Sequence, residues 1–135
     1  MNKPTLIIDG SKFSSLQEFA QHFGEVALKG YQWRGNLDAF NDILRGGFGT
    51  PEGGFILRWE NSAFSRESLG YVETAKWLEE RIANCHPSNV PHFKKRLAEA
   101  LQGQGKTLFE ELVEIIRIHG DGGDEAEDGV ELFLI

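Results

Sequence analysis

Alternating apolar and polar positions divide the chain into short strands and longer helices. Three apolar runs predict buried strands at residues 5–8, 55–59 and 130–135. Between them, apolar residues recur every three or four positions, which is the spacing of amphipathic helices. Strands separated by helices are joined by right-handed crossovers and pair in parallel. The pattern therefore predicts an α/β fold, with a small three-stranded parallel sheet packed with helices.

Capping residues mark the ends of the predicted helices. Ser15 and Glu18 form a capping-box pattern ahead of a helix that Gly24 ends. Asn36 can cap a second helix, which ends at Gly46. Further helices are predicted over 60–69, over 71–85, in a stretch that carries Phe93, Leu97 and Leu101, and after a second capping box formed by Thr107 and Glu110.

Length and composition bound the class of protein. The chain has 135 residues, of which 40% are hydrophobic, and this suits one domain with one core. No apolar run approaches the roughly 18 residues of a membrane span, and the first residues lack the apolar stretch of a secretory signal. The single cysteine, Cys85, cannot form an internal disulfide. We therefore expect a cytoplasmic protein without membrane contact.

The charge is distributed unevenly along the chain. The net charge is −7, and six of the 21 acidic residues, with no basic residue, lie within 121–131. The rest of the chain is nearly neutral and has no basic face for phosphate contacts, so we expect a basic protein partner and no direct nucleic-acid binding. The glycines and like charges of 121–131 predict a mobile, solvated loop that attracts such a partner from a distance.

Residues 100–107 fit a permissive phosphate-loop pattern that ends in Gly105, Lys106 and Thr107. Such a loop must follow a buried strand, so that its backbone N–H groups can surround the phosphates. The preceding residues 93–100 instead have helical periodicity and charge. The sequence therefore predicts a turn between two helices, and no nucleotide.

Cys85, His86 and His92 offer ligand types that suit zinc. A closed zinc site needs four ligands, and no fourth lies at a standard spacing. No signal in the sequence pairs Cys85 with a histidine as a protease would require. We expect no metal, no cofactor and no enzymatic activity.

Asp38 and Asp42 lie four residues apart on the exposed side of the second predicted helix, and they admit three interpretations. As a catalytic acid and base they need a pocket, which the sequence does not supply. As surface residues they stabilise the helix, since Asp38 lies in its first turn. As a carboxylate pair they are available to a basic partner.

Residues 32–46 read QWRGNLDAFNDILRG, and this stretch resembles the signature of the barstar family of intracellular ribonuclease inhibitors. In that family an aromatic-rich loop leads into a helix with two aspartates, which plugs the ribonuclease active site. The three predicted strands and the helix at 108–119 are similar to the family's layout. The resemblance implies a single barstar-like domain over 1–135, with a helical insertion at about 71–105.

The resemblance also implies a partner-binding surface. Asp42 matches the family's phosphate mimic, Asp38 is the second anchor, and Asn36 caps the helix. Tyr31 and Trp33 are the aromatics expected to cover the active-site floor, although Trp33 can instead pack under the loop. The implied contact residues are Tyr31, Gln32, Trp33, Arg34, Gly35, Asn36, Asp38, Asn41, Asp42, Arg45 and Gly46.

One departure from the family pattern lies in the contact loop. The family commonly has two aromatics, a glycine and one further residue before the asparagine, whereas here Arg34 and Gly35 precede Asn36. The sequence thus predicts a cytoplasmic inhibitor of a basic ribonuclease or ribonuclease toxin, of the immunity or antitoxin type. The alternative is a barstar-fold interaction module that binds a basic protein other than a nuclease.

Overall fold

The computed structural model describes residues 3–29 and 31–135, so Met1, Asn2 and Gly30 of the aromatic loop lie outside the described residues. Its elements are β1 (Thr5–Asp9), α1 (Leu16–Ala27), α2 (Leu37–Arg45), β2 (Phe55–Glu60), α3 (Ser62–Ser68), α4 (Tyr71–Asn84), α5 (Val90–Leu101), α6 (Leu108–Ile118) and β3 (Val130–Leu134). Short 3-10 turns lie at Gly10–Lys12, Pro87–Asn89 and Ala126–Asp128. Among the described helices, none combines the length and the apolar character that crossing a bilayer requires.

The strands form one parallel sheet in which β2 is central. β1 pairs with β2 so that Ile8 lies beside Trp59, and β3 pairs with the other edge of β2 so that Leu134 lies beside Trp59. This register brings alternate apolar residues of all three strands to one face. The predicted α/β class and the parallel three-stranded sheet are confirmed.

Helices cover one face of this sheet. Leu57 and Trp59 of β2 are fully buried beneath apolar residues of α1, α2 and α6. Aromatic rings fill much of this core, and Phe19 of α1 stacks on Trp59 with 5.3 Å between the ring centroids. The opposite face stays open, since Ile7 is 49% and Phe133 51% exposed. The apolar side of α2 belongs to the covered face, which fixes the position of this helix.

Helices α4 and α5 form a second, smaller apolar cluster. Its buried residues are Ala75, Leu78 and Ala100. Trp77 contacts both this cluster and the main core. The Oγ1 of Thr74 accepts a hydrogen bond from the backbone N–H of Leu108 at 2.9 Å. Both terminal nitrogens of Arg96 donate hydrogen bonds to the carboxylate of Glu111, at 3.0 and 3.1 Å. These bonds attach the helical pair to α6.

A half-buried acceptor on α1 makes the fold sensitive to acid. The Nε2 of His22 accepts the backbone N–H of Asp9 at 3.0 Å, which only the neutral ring can do. Burial, reinforced by Lys12, lowers the pKa of His22 below its ordinary value of 6.5. The stabilisation is therefore complete above the unfolded pKa and is lost as pH falls through the lower folded pKa.

We expect the free energy of unfolding to decrease between pH 7 and pH 5, and part of that decrease to disappear in a His22→Gln variant, whose amide oxygen still accepts but does not titrate. Urea melts at half-unit pH intervals measure the difference. Parallel stability curves for the two proteins would contradict this assignment.

Candidate functional site

Local sequence fixes both ends of helix α2. Asn36 has an extended backbone, and its side-chain oxygen accepts the N–H of Ala39 at 3.1 Å. At the other end, Gly46 has a φ of 112°, and its N–H donates to the carbonyl of Ile43 at 3.1 Å. Glycine adopts this φ without strain, so the helix stops sharply there. The predicted cap and stop of this helix are confirmed.

Trp33 supports the inner side of α2. Its ring stacks on Phe40 with 4.6 Å between centroids and an interplanar angle of 12°. Its indole N–H donates to the carbonyl of Asn36 at 2.9 Å. Trp33 is only 5% exposed. The structure therefore favours the interpretation in which the indole packs under the loop, and not the one in which it covers a partner's active site.

Tyr31, the other aromatic of the loop, lies at the surface and is 39% exposed. Its ring packs against Phe48, with 4.9 Å between centroids. Phe48 belongs to the glycine-rich segment after α2, which passes close to the chain at Lys29. Gly49 permits this approach, because it has a φ of 114° and a Cβ at this position would collide with the backbone nitrogen of Lys29. Tyr31 is thus supported by a neighbouring segment while it faces solvent.

The outer side of α2 presents Asp38 and Asp42, and both are exposed. They lie one turn apart on the same helix face. The Nη1 of Arg45 donates to the Oδ1 of Asp42 at 2.9 Å. Both side chains of this pair are about half exposed, so it stabilises the helix by at most about 1 kcal/mol. A cation of a partner can therefore replace Arg45 at Asp42 at little cost.

The remaining predicted contact residues of the loop divide between surface and interior. Gln32, Arg34 and Asn36 are exposed, whereas Gly35 is buried, as is Trp33. The side chains available to a partner at this loop are therefore those of Tyr31, Gln32, Arg34 and Asn36.

A buried polar network connects α2 to the residues that follow α6. His119, directly after α6, is fully buried. Its Nδ1–H donates to the Oδ2 of Asp128 at 2.6 Å, and its Nε2 faces the Oδ1 of Asn41 at 2.7 Å. Both ring nitrogens of His119 therefore have a hydrogen-bond partner. Asn41, predicted to contact a partner, thus bonds within the protein.

Arg45 joins this network. Its Nε donates to the Oε1 of Glu125 at 2.7 Å, and the Oε2 of Glu125 lies 3.8 Å from the Nε2 of His119. The hydrogen bond from Arg45 to Glu125 raises the pKa of the guanidinium above its ordinary value. Arg45, also predicted as a partner contact, therefore ties the C-terminal end of α2 to the acidic segment 121–131.

A model of the barstar family, described as barstar (barnase inhibitor), matches residues 3–91, about two thirds of the chain. The chain belongs to the barstar family. Members of the barstar family are inhibitors rather than enzymes, so this chain is not an enzyme. The family implies a ribonuclease as the protein partner in general. No curated protein matches the chain.

The barstar match extends from β1 through the aromatic loop, α2, β2, α3 and α4. It includes residues 71–91, which the sequence predicts to be part of an inserted helical pair. The insertion therefore stays a prediction.

The expectation of a solvated loop at 121–131 is wrong for two of its acids. Glu125 and Asp128 are half-buried and bind Arg45 and His119. Arg45 is 80 residues from Glu125 in the sequence, so local charge density alone could not reveal that pairing, whereas His119 lies nine residues from Asp128. The exposed acids of this segment are Asp121, Asp124, Glu127 and Glu131.

His119, Glu125 and Asp128 also bring potential metal ligands within 4.8 Å of one another. The donor types are those of a zinc site. However, Arg45 already supplies positive charge to Glu125, and His119 already holds Asp128 by a hydrogen bond. We therefore assign this cluster as an ion-pair network that positions α2.

The phosphate-loop pattern at 100–107 lies between α5 and α6, so a helix precedes it in place of the required strand. Thr107 and Glu110 form a reciprocal capping box at the start of α6. Lys106 pairs with Glu114 at 2.5 Å. The predicted turn between two helices is confirmed.

The candidate zinc ligands Cys85, His86 and His92 are not among the groups of metal-ligating atoms that come together in residues 3–29 and 31–135. The Nδ1 of His86 lies 2.7 Å from the Oγ of Ser88 and accepts its backbone N–H at 3.1 Å. His86 therefore shapes the turn between α4 and α5.

Proposed function

We propose that this chain inhibits one basic ribonuclease by covering its active site with the outer side of α2, as a cytoplasmic immunity or antitoxin protein. The proposal depends chiefly on the two exposed carboxylates, Asp38 and Asp42, one turn apart on a helix fixed at both ends. Ribonuclease active sites gather cationic side chains that hold phosphates. Carboxylates on a rigid helix can occupy the same positions and accept charge-assisted hydrogen bonds.

The rigidity of α2 adds to this argument. The Asn36 cap, the stacking of Trp33 and the bond between Asn41 and His119 all hold the helix before any partner arrives. A surface that is already ordered loses little conformational entropy on binding, so more of its interaction energy appears as affinity.

Arg34 favours a second candidate function. It is exposed in the loop that leads into α2, next to the acidic face. A pocket built to hold phosphates would repel this guanidinium. The second candidate is therefore a barstar-fold module that binds a basic protein other than a nuclease.

The deciding experiment recovers the partner and measures RNA cleavage. The immobilised chain is exposed to a lysate of cells that carry its gene, and the retained protein is purified and assayed with a fluorogenic RNA; barnase serves as a defined probe in the same assay. We expect cleavage to fall to zero at a 1:1 ratio of chain to the retained ribonuclease. A retained partner that cleaves no RNA, and whose binding requires Asp42, would establish the second candidate instead.

The exposed acids of 121–131 should act on the rate of association. We expect a variant with Asp121→Asn, Asp124→Asn and Glu127→Gln to bind the partner more slowly, mainly at low salt, because these side chains attract a basic protein without contacting it. Stopped-flow association at two salt concentrations measures this effect, which should vanish at high salt. A tenfold faster dissociation would instead place these residues in the interface.

A further inference from the structure

A groove of about 470 Å³ lies beside α2, between the aromatic loop and the helical pair α4–α5. Asn36 and Asp38 of the α2 N-terminus line one wall, and residues of α4 and α5 line the other. Its apolar lining consists of Leu16, Leu37, Trp77 and Phe93. The groove therefore shares a residue, Asp38, with the surface that we propose for the ribonuclease.

One face of α4 is directed into this groove. Glu73, Trp77, Glu80 and Asn84 all line it and follow one another at intervals of four, three and four residues. Two carboxylates thus flank an aromatic ring along a single helix face. Glu79, on the same helix, is exposed but does not line the groove.

Two arginines in the groove are already engaged. Arg96 binds Glu111 through both terminal nitrogens, and its guanidinium lies 5.3 Å from the ring centroid of Trp77. The guanidinium of Arg81 lies 5.5 Å from the ring centroid of Phe93. Arg96 is thus paired with a carboxylate, whereas Arg81 contacts an aromatic ring.

The carboxylates of the groove are free by contrast. Asp38, Glu73 and Glu80 form no ion pair with another described residue. Among the lining arginines of the described ranges, Arg34 and Arg81 form no ion pair either. Three carboxylates against two guanidiniums without an ion pair leave the groove with one surplus negative charge, and this surplus fits a basic occupant.

Helix α2 alone offers too small a surface for a stable complex. It has nine residues and is therefore about 13 Å long. Stable interfaces use roughly 20–30 residues on each side. A partner docked on Asp38 and Asp42 must therefore also cover surface next to α2, and the groove begins at Asp38.

We propose that the groove receives a lysine- or arginine-bearing loop of the same ribonuclease that α2 inhibits. Glu73 and Glu80 bind the cationic groups of that loop, and the exposed edges of Trp77 and Phe93 pack against its apolar stems. This proposal depends on the proposed function for the identity of the partner. The helical pair α4–α5 then forms a second wall of the binding site and selects among ribonucleases.

The first test compares matched variants in binding to the ribonuclease that the chain inhibits. The double variant Glu73→Gln/Glu80→Gln keeps side-chain size and should weaken the complex about tenfold or more, whereas Glu79→Gln should stay within twofold. The Asp42→Ala variant measures separately how much α2 contributes to binding, because Asp42 does not line the groove. If Asp42→Ala weakens binding while the double variant stays within twofold, the groove proposal is overturned and the proposed function stands.

A second test works without any ribonuclease. An octa-arginine peptide is titrated into ¹⁵N-labelled protein, and the indole N–H signal of Trp77, assigned with Trp77→Phe, is followed. Trp33 and Trp59 are buried and serve as internal references. We expect the Trp77 signal to shift in the natural chain and in Glu79→Gln, and to shift much less in Glu73→Gln/Glu80→Gln. A Trp77 signal that does not move, or that moves equally in the double variant, would overturn the proposal even where the proposed function fails.

Discussion

Replacing Asp42 by alanine is expected to weaken the complex with the ribonuclease by about 3 kcal/mol or more, while unfolding free energy changes by about 0.5 kcal/mol or less. The binding magnitude is that of close charge pairs between barnase and barstar, and does not come from the geometry of this chain. The loss is large because truncation leaves cations of the partner buried without a counterion. The stability effect is small because only the exposed pair with Arg45 is lost.

Titration calorimetry and urea melts together measure both quantities. Asp38→Ala should weaken binding less and stability more, because Asp38 also interacts favourably with the first turn of α2. Glu67→Ala, which removes an exposed carboxylate from α3, controls for the change in net charge. Unchanged affinity for Asp42→Ala with the correct partner would mean that α2 does not carry the function.

Replacing His119 by leucine is expected to lower the free energy of unfolding by about 3 kcal/mol. The histidine is fully buried between Asp128 and Asn41, and leucine would leave both without their partner. Removing the imidazole is costly because the largely buried carboxylate of Asp128 then lacks its hydrogen-bond partner. The loss also frees Asn41, so affinity for the ribonuclease should fall although His119 itself contacts no partner.

Urea melts of His119→Leu, with the exposed His92→Leu as the matched control, test this expectation. A double variant that also carries Asp128→Leu should recover part of the lost stability, since no unpaired carboxylate then remains. A single variant within 0.5 kcal/mol of the natural chain would show that the network does not hold α2.

Residues close together in the sequence largely determined the elements and their ends. The apolar runs placed all three strands, and the helices between them implied parallel pairing, because a crossover returns the chain in the same direction. Asn36, Gly46, Thr107 and Glu110 act on backbone groups only a few residues away. Such interactions are visible in the sequence, since the partners are always at a fixed spacing.

Contacts between distant residues decided how the site is built. Asn41 and His119 are 78 residues apart, and so no local pattern could show that this amide faces inward. Arg45 and Glu125 are 80 residues apart, and their pairing ties an exposed arginine of α2 to the acidic segment and removes an acid from the solvated loop.

The sequence by itself thus determined a barstar-like helix with two outward carboxylates, because the 3.6-residue period alone sets which side chains share a face. Tertiary structure alone decided that Trp33 is buried on Phe40, that the acidic segment anchors α2, and that α4 and α5 form a groove beside it. Each of these outcomes depends on which surfaces meet when the core closes. Burial and ion pairing are properties of that assembled arrangement, and so they cannot be read from the spacing of residues along the chain.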